Sequence, residues 1–209
     1  MTITELLLPI LKTDPESASS FKEQAAEIFS HFAGVPGLQY FSRGTILFDN
    51  GEPVEPSSGR GVLILEWDTA SSLHEFYPHS AAFQNFVSLV KPFIAAPESP
   101  QIFEAVTSAE VTASATFTQI LKVRQGGDTE KLWGQLQEIL VSNGKTAAPV
   151  FAHASGIEND EGTFLGMIGW RGLEDYERAQ DETVRAILSE LGAGGKILDL
   201  VVQLNQMAV

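Results

Sequence analysis

The chain has 209 residues, 44% hydrophobic and 19% charged, enough apolar material for one large domain or two of about 100 residues each. Its 13 Lys and Arg against 27 Asp and Glu give a formal net charge of −14 and no basic stripe, which argues against nucleic acid or an anionic membrane surface as partner. Cysteine is absent, so disulfides, thiolate metal sites and a Cys nucleophile are excluded.

The opening run "MTITELLLPILK" places Glu5 ahead of a short apolar stretch. It has no basic n-region and no small-residue cleavage site, and reads as mature, cytoplasmic protein starting with a strand over 4–12. A helix follows, with Phe21, Ala25, Ile28, Phe29 and Phe32 at three- and four-residue spacing. Asp14, with Pro15 next, or Ser17 suits its N-cap. His31 near its end balances the helix dipole. The strand "GLQYFSRG" (37–44) closes on Gly44, and alternation sends Tyr40 and Ser42 to one face and Arg43 to the other. "FDNGEPVEPSSGRG" (48–61) reads as a long loop. A third strand (61–67) ends on Trp67, a helix spans about 71–94, and a last strand covers 101–106.

The same order then recurs. "TFTQILKVR" (116–124) repeats the look of "TELLLPILK" 112 residues later, and a helix carries Leu132, Leu136, Ile139 and Leu140 behind Asp128. The next strand, "PVFAHASG" (149–156), ends on Gly156, 112 residues after Gly44, and this spacing aligns His153 with Phe41. Trp170 ends the strand at 164–170, a helix covers 173–192, and "KILDLVVQL" (196–204) is last. "LGAGGK" (191–196) is a helix C-cap turn rather than a nucleotide loop. His153, mid-strand, reads as buried and hydrogen-bonded.

Each half is therefore β-α-β-β-α-β, a ferredoxin-like unit, over 1–110 and 111–209. One such unit has helices on only one face of its sheet. Two on one chain cover each other, giving an α+β fold of two stacked four-stranded sheets in a barrel-like core, with four helices outside.

Around the first Trp the chain reads Trp67-Asp68-Thr69, then His74-Glu75-Phe76-Tyr77-Pro78-His79. With the repeat pattern, these residues resemble the antibiotic-biosynthesis-monooxygenase type of dimeric α/β barrel, in its tandem form. Tyr77 stands where that family usually has Ser or Thr, and Ser80 where it has Phe. The resemblance implies a small-molecule biosynthetic enzyme of the cofactor-independent monooxygenase or cyclase kind, or a haem-binding relative.

The residues themselves add chemistry. Pro78, four after His74, breaks a continuous helix, so a short turn over Ser71–Tyr77 is expected, with the main helix restarting at Pro78. His79 and His74 are candidate bases near neutral pH, and Tyr77 a candidate donor to a developing enolate or phenolate. Trp67, Tyr40, Arg43 and Phe83 are candidate substrate contacts, with core packing the plainer reading for Trp67. Arg43 and Arg60 suit an anionic substrate group. The second copy, "WRGLEDYERAQDETV" (170–184), lacks both histidines, so chemistry is expected in the first half alone. No phosphate loop, calcium loop, nucleophile elbow or metal constellation occurs. The expectation is a small hydrophobic, aromatic or polyketide-like substrate and no cofactor, with haem on His79 or His74 as the alternative. A non-catalytic binding barrel and further homodimerisation stay open.

Overall fold

The computed structural model describes residues 1–96, 98–142 and 148–209. In β1 (Ile3–Leu7) both faces are buried, Thr4 and Leu6 on one, Ile3, Glu5 and Leu7 on the other, as the two-residue period of a strand requires. After β2 (Ile10–Leu11) comes α1 (Pro15–Ser30). Asp14 caps it, accepting the Ser17 N–H at 2.9 Å, with Pro15 in the first turn. β3 (Leu38–Asp49) continues past Gly44 and turns into β4 (Glu52–Pro53), so the first residues of the expected loop are a hairpin. β5 (Gly61–Trp67), α2 (Ala70–Phe76), α3 (Ala81–Val90), β6 (Ile94–Ala96) and β7 (Gln101–Thr107) complete the first repeat. A 3-10 stretch at Ala109–Ser114 leads to β8 (Phe117–Arg124), α4 (Thr129–Ser142) and β9 (Val150–Gly156). β10 (Thr163–Trp170), α5 (Leu173–Ala179), α6 (Glu182–Leu191) and β11 (Lys196–Gln206) end the chain's ordered elements.

The helix expected over 71–94 is in two pieces, and it restarts at Ala81 rather than Pro78. Ser80 sets that start by accepting the Phe83 N–H at 3.0 Å. The second repeat breaks in the same place without a proline. There Asp181 accepts the N–H groups of Thr183 and Val184. The break thus belongs to the repeat and is fixed by a capping side chain. Six helices rather than four flank the strands among the described residues.

The strands run β11-β8-β10-β9-β7-β1-β5-β3, and β11 pairs again with β3, so eight antiparallel strands close into a barrel. The two repeats meet at two hydrogen-bonded seams, β7 with β9 and β11 with β3. The barrel expected from two ferredoxin-like repeats is present, and its two four-stranded halves join edge to edge into one closed sheet, because closure pairs the backbone groups that open edges leave bare. The interior is filled by residues such as Leu6, Ile64, Phe103, Ile120, Leu165 and Met167. The buried charges inside are paired, whereas the Thr118 hydroxyl finds no partner among the described residues. Glu66 accepts from Ser108 at 2.5 Å and from the Ala109 N–H at 2.6 Å, and Lys122 reaches Asp160 at 2.5 Å. Outside the barrel, each repeat's helices pack a second apolar layer on their own strands.

Register decides which residues correspond between repeats. Trp67 faces Ile3 across β5 and β1, as Trp170 faces Phe117 across β10 and β8, so Glu5 matches Gln119. Arg43 pairs with Leu63 and His153 with Gly166. His153 therefore takes the place of Arg43, not Phe41, and Gly44 matches Ala154 rather than Gly156.

Gly44 lies on the β3–β11 seam, where an added Cβ would sit 2.5 Å from the Gln203 carbonyl oxygen, while nothing lies within 4 Å of one at Gly134 in α4. Gly44→Ala should lower stability by about 1–3 kcal/mol. Gly134→Ala should raise it by up to about 1 kcal/mol, with urea unfolding as the measurement.

Candidate functional site

In the first repeat the helices stand off the outer face of the barrel and leave a cavity of about 780 Å³. The amphipathic period of α1 turns Phe21 and Phe29 toward it, and Phe32 in the turn after the helix joins them. Phe76 of α2 and Phe83 and Phe86 of α3 close the other side, over Leu7, Leu63 and Leu65 of the strands. The rings meet edge to face, as in Phe32–Phe86 at 4.8 Å and Phe76–Phe83 at 5.6 Å between centroids.

Of the two carboxyls that line the cavity, Glu98 is exposed and Glu5 is buried in its apolar part. Glu5 is only 6% exposed and lines the cavity, and the Trp67 indole donates a hydrogen bond to its Oε2 at 2.9 Å. Burial pushes its pKa up from the ordinary 4.5 to about 7, and the indole bond draws it part of the way back. A carboxyl with that value exchanges a proton at neutral pH, which is the property a general base needs.

Arg43, Tyr77 and Phe83 also line the cavity. The Arg43 guanidinium lies over the Phe29 ring at 4.9 Å, and Tyr77 packs edge-on against Phe83 at 5.0 Å. Trp67 is fully buried behind the wall, its ring 5.2 Å from that of Phe76, and it touches Glu5 rather than lining the cavity. Tyr40 is on the opposite face of the sheet from the cavity. The alternation that turns Arg43 outward turns Tyr40 into the barrel, opposite Glu66, where burial pushes its hydroxyl up.

The two histidines are not brought into the cavity wall. In α2, Leu73 and Phe76 take the buried face, which leaves His74 outward, its Nε2 2.8 Å from Glu158 Oε1. His79 is exposed between the two helices. Arg60 does line the cavity but is paired with Asp49 at 2.7 Å. His153 is stacked on Phe164 at 5.8 Å rather than hydrogen-bonded through Nδ1, and burial lowers its pKa.

The corresponding space in the second repeat is smaller, about 410 Å³. Phe164 stands where the first repeat has Gly61, and an added Cβ at Gly166 would meet the Trp133 ring at 2.7 Å, so Trp133 rests directly on the strand. Gln119, at the place of Glu5, turns its amide to Asp199 at 3.0 Å, and the Trp170 indole has no partner among the described residues.

Glu5 is the candidate residue that sequence reasoning missed. The available signal was a single charge inside an apolar strand, on the face shared by Ile3 and Leu7. Among the described residues no three His, Asp or Glu are grouped to hold a metal ion. The cavity lining contains no histidine, so its donor set does not fit a histidine-ligated haem. No helix among them is long and apolar enough to cross a membrane.

No family model matches the sequence, and no curated protein does. Solved structures share its fold. A provisionally named monooxygenase from Lactobacillus acidophilus is 13% identical, with 98% of this chain and 93% of that one covered at a TM-score of 0.60. Another from Fusobacterium nucleatum is 10% identical, with 99% and 94% covered at 0.62. An anthrone oxidase-like protein is 14% identical, with 100% and 96% covered at 0.60. At these identities the likeness is one of fold, the dimeric α/β barrel made by a single chain.

Glu5 has a folded pKa above its unfolded one, so its contribution to stability is full below pH 4.5 and lost as pH rises through about 7. Glu5→Gln removes that loss. Relative to the unsubstituted protein, the variant should gain about 3 kcal/mol between pH 4.5 and 8. Urea unfolding across that range measures it, and a pH-independent difference contradicts the assignment.

Proposed function

We propose that this chain is a small-molecule enzyme that takes a hydrophobic aromatic, polyketide-like substrate into the first-repeat cavity and removes a proton from it with Glu5. The observation that carries this reading is the buried carboxyl, poised near neutrality beside the phenylalanine and leucine side chains of the wall. The base role expected for His79 or His74 passes to Glu5 because neither histidine lines the cavity.

Near pH 7 part of the Glu5 population is ionised. Its carboxylate takes a proton from a phenol or from a C–H made acidic by a neighbouring carbonyl. Trp67 holds one carboxylate oxygen, which orients the group and acts as positioning rather than catalytic support. Tyr77, which also lines the cavity, offers a hydroxyl to the enolate or phenolate that develops. The phenylalanine walls exclude water and keep these interactions strong.

The carbanion then has two fates. Reprotonation at another atom gives an isomerisation or cyclisation. Reaction with O2 converts a CH2 to a carbonyl with one oxygen atom, while the other leaves as water with the two hydrogens, so no external reductant is consumed. The shared fold of proteins named as monooxygenases and anthrone oxidase-like favours the oxidative fate.

Anthrone, with oxygen uptake as the readout, tests the proposal. The rate should rise with pH to a plateau above about 7, since the base works deprotonated. Glu5→Gln should lower it by about 100-fold or more with fold intact. His74→Ala and His79→Ala should stay within about twofold of the parent, because neither touches the substrate. Full activity in Glu5→Gln, loss in either histidine variant, or no uptake by the parent protein contradicts it.

A further inference from the structure

The cavity carries a second charged group whose partner is missing. Arg43 is half-buried on the same outward face as Glu5, and no ion pair to it occurs among the described residues. Arg60 is neutralised by Asp49, and Lys91 stands exposed to water. Arg43 is thus the cavity cation that is both partly withdrawn from solvent and uncompensated. A guanidinium in that setting gains most from an anion that enters with the ligand.

Its neighbours support such a role. Asn205 pairs with Arg43 across the β3–β11 seam and also lines the cavity, as does Thr45 two residues along β3. These put an amide and a hydroxyl in the same stretch of cavity wall as Arg43. At the corresponding place in the second repeat stands His153, whose pKa burial lowers, so the cation has no counterpart in the repeat that also lacks the carboxyl. Register separates the two charges. Glu5 and Phe41 both face Leu65, and Arg43 is one step further along β3, so Arg43 and Glu5 are two strands and two residues apart. At ordinary strand spacing that is about 12 Å between Cα atoms. Too far to neutralise each other, they are spaced for the two ends of a fused-ring molecule.

Building on the Glu5 reading above, we propose that the substrate is an aromatic carboxylic acid. Its carboxylate is held by Arg43 with Asn205 at one end of the cavity, and its acidic hydroxyl or C–H is presented to Glu5 at the other. The anion fixes which end of the ring system reaches the base.

Binding alone tests this, independently of turnover. By calorimetry at pH 8, 6-hydroxy-2-naphthoate should bind at least about tenfold tighter than 2-naphthol, which lacks the carboxylate. Arg43→Gln should remove that preference while 2-naphthol still binds, which shows that the cavity is intact. Arg43→Lys should restore part of it, and 0.5 M salt should narrow it. Equal affinity of the parent protein for the two probes, or a preference that survives Arg43→Gln, overturns the proposal. Glu5→Gln should keep the acid preference. An active Glu5→Gln variant with the preference intact would sink the base assignment alone, and loss of the preference beside an inactive Glu5→Gln would sink the carboxylate clamp alone.

Discussion

Everything in this molecule follows from the two seams that close the barrel, β7 with β9 and β11 with β3. A single β-α-β-β-α-β unit has two open strand edges and one bare sheet face. Joining two on one chain pairs the edges and turns the bare faces inward, where Leu6, Phe103, Ile120 and Leu165 fill the lumen. With the lumen filled, the described cavities lie outside it, between the strands and their helices.

Closure also frees the two outer layers to diverge. Both pack their helices on the strands, and the two do so differently. The second repeat fills its layer with Trp133 over Gly166 and Phe164 at the place of Gly61. The first keeps a cavity nearly twice as large and puts Glu5 and Arg43 in its wall, where the other repeat has Gln119 and His153. The exchange of Glu for Gln is informative because the two side chains are nearly the same shape. Packing is served by either, while only the acid titrates, and its burial works against folding above neutral pH. A destabilising group kept at one of two equivalent positions points to chemistry there.

Much of the architecture was legible in the residues. The alternation of apolar periods marked out the repeat, Asp14 and Pro15 marked the start of α1, and "LGAGGK" marked the end of α6. Register was not legible. Spacing between similar segments aligned His153 with Phe41 and Gly44 with Gly156, because loops of unequal length shift the count, and only the ladder pairs correct it. The site suffered from the same blindness. His74, Tyr77 and His79 stand out by residue type, but the direction of each depends on which face of α2 packs, and Leu73 and Phe76 win that face. Glu5 gains its meaning from Trp67, 62 residues away along the chain.

The central claim is that Glu5 titrates near neutrality inside the cavity. Carbon-13 NMR of the glutamate carboxyl resonances, with Glu5 assigned by its loss in Glu5→Gln, measures this directly. The structure predicts a midpoint at about pH 7, well separated from the other carboxylates. A midpoint near the ordinary 4.5 would mean that water reaches the group freely, and would contradict its assignment as the base.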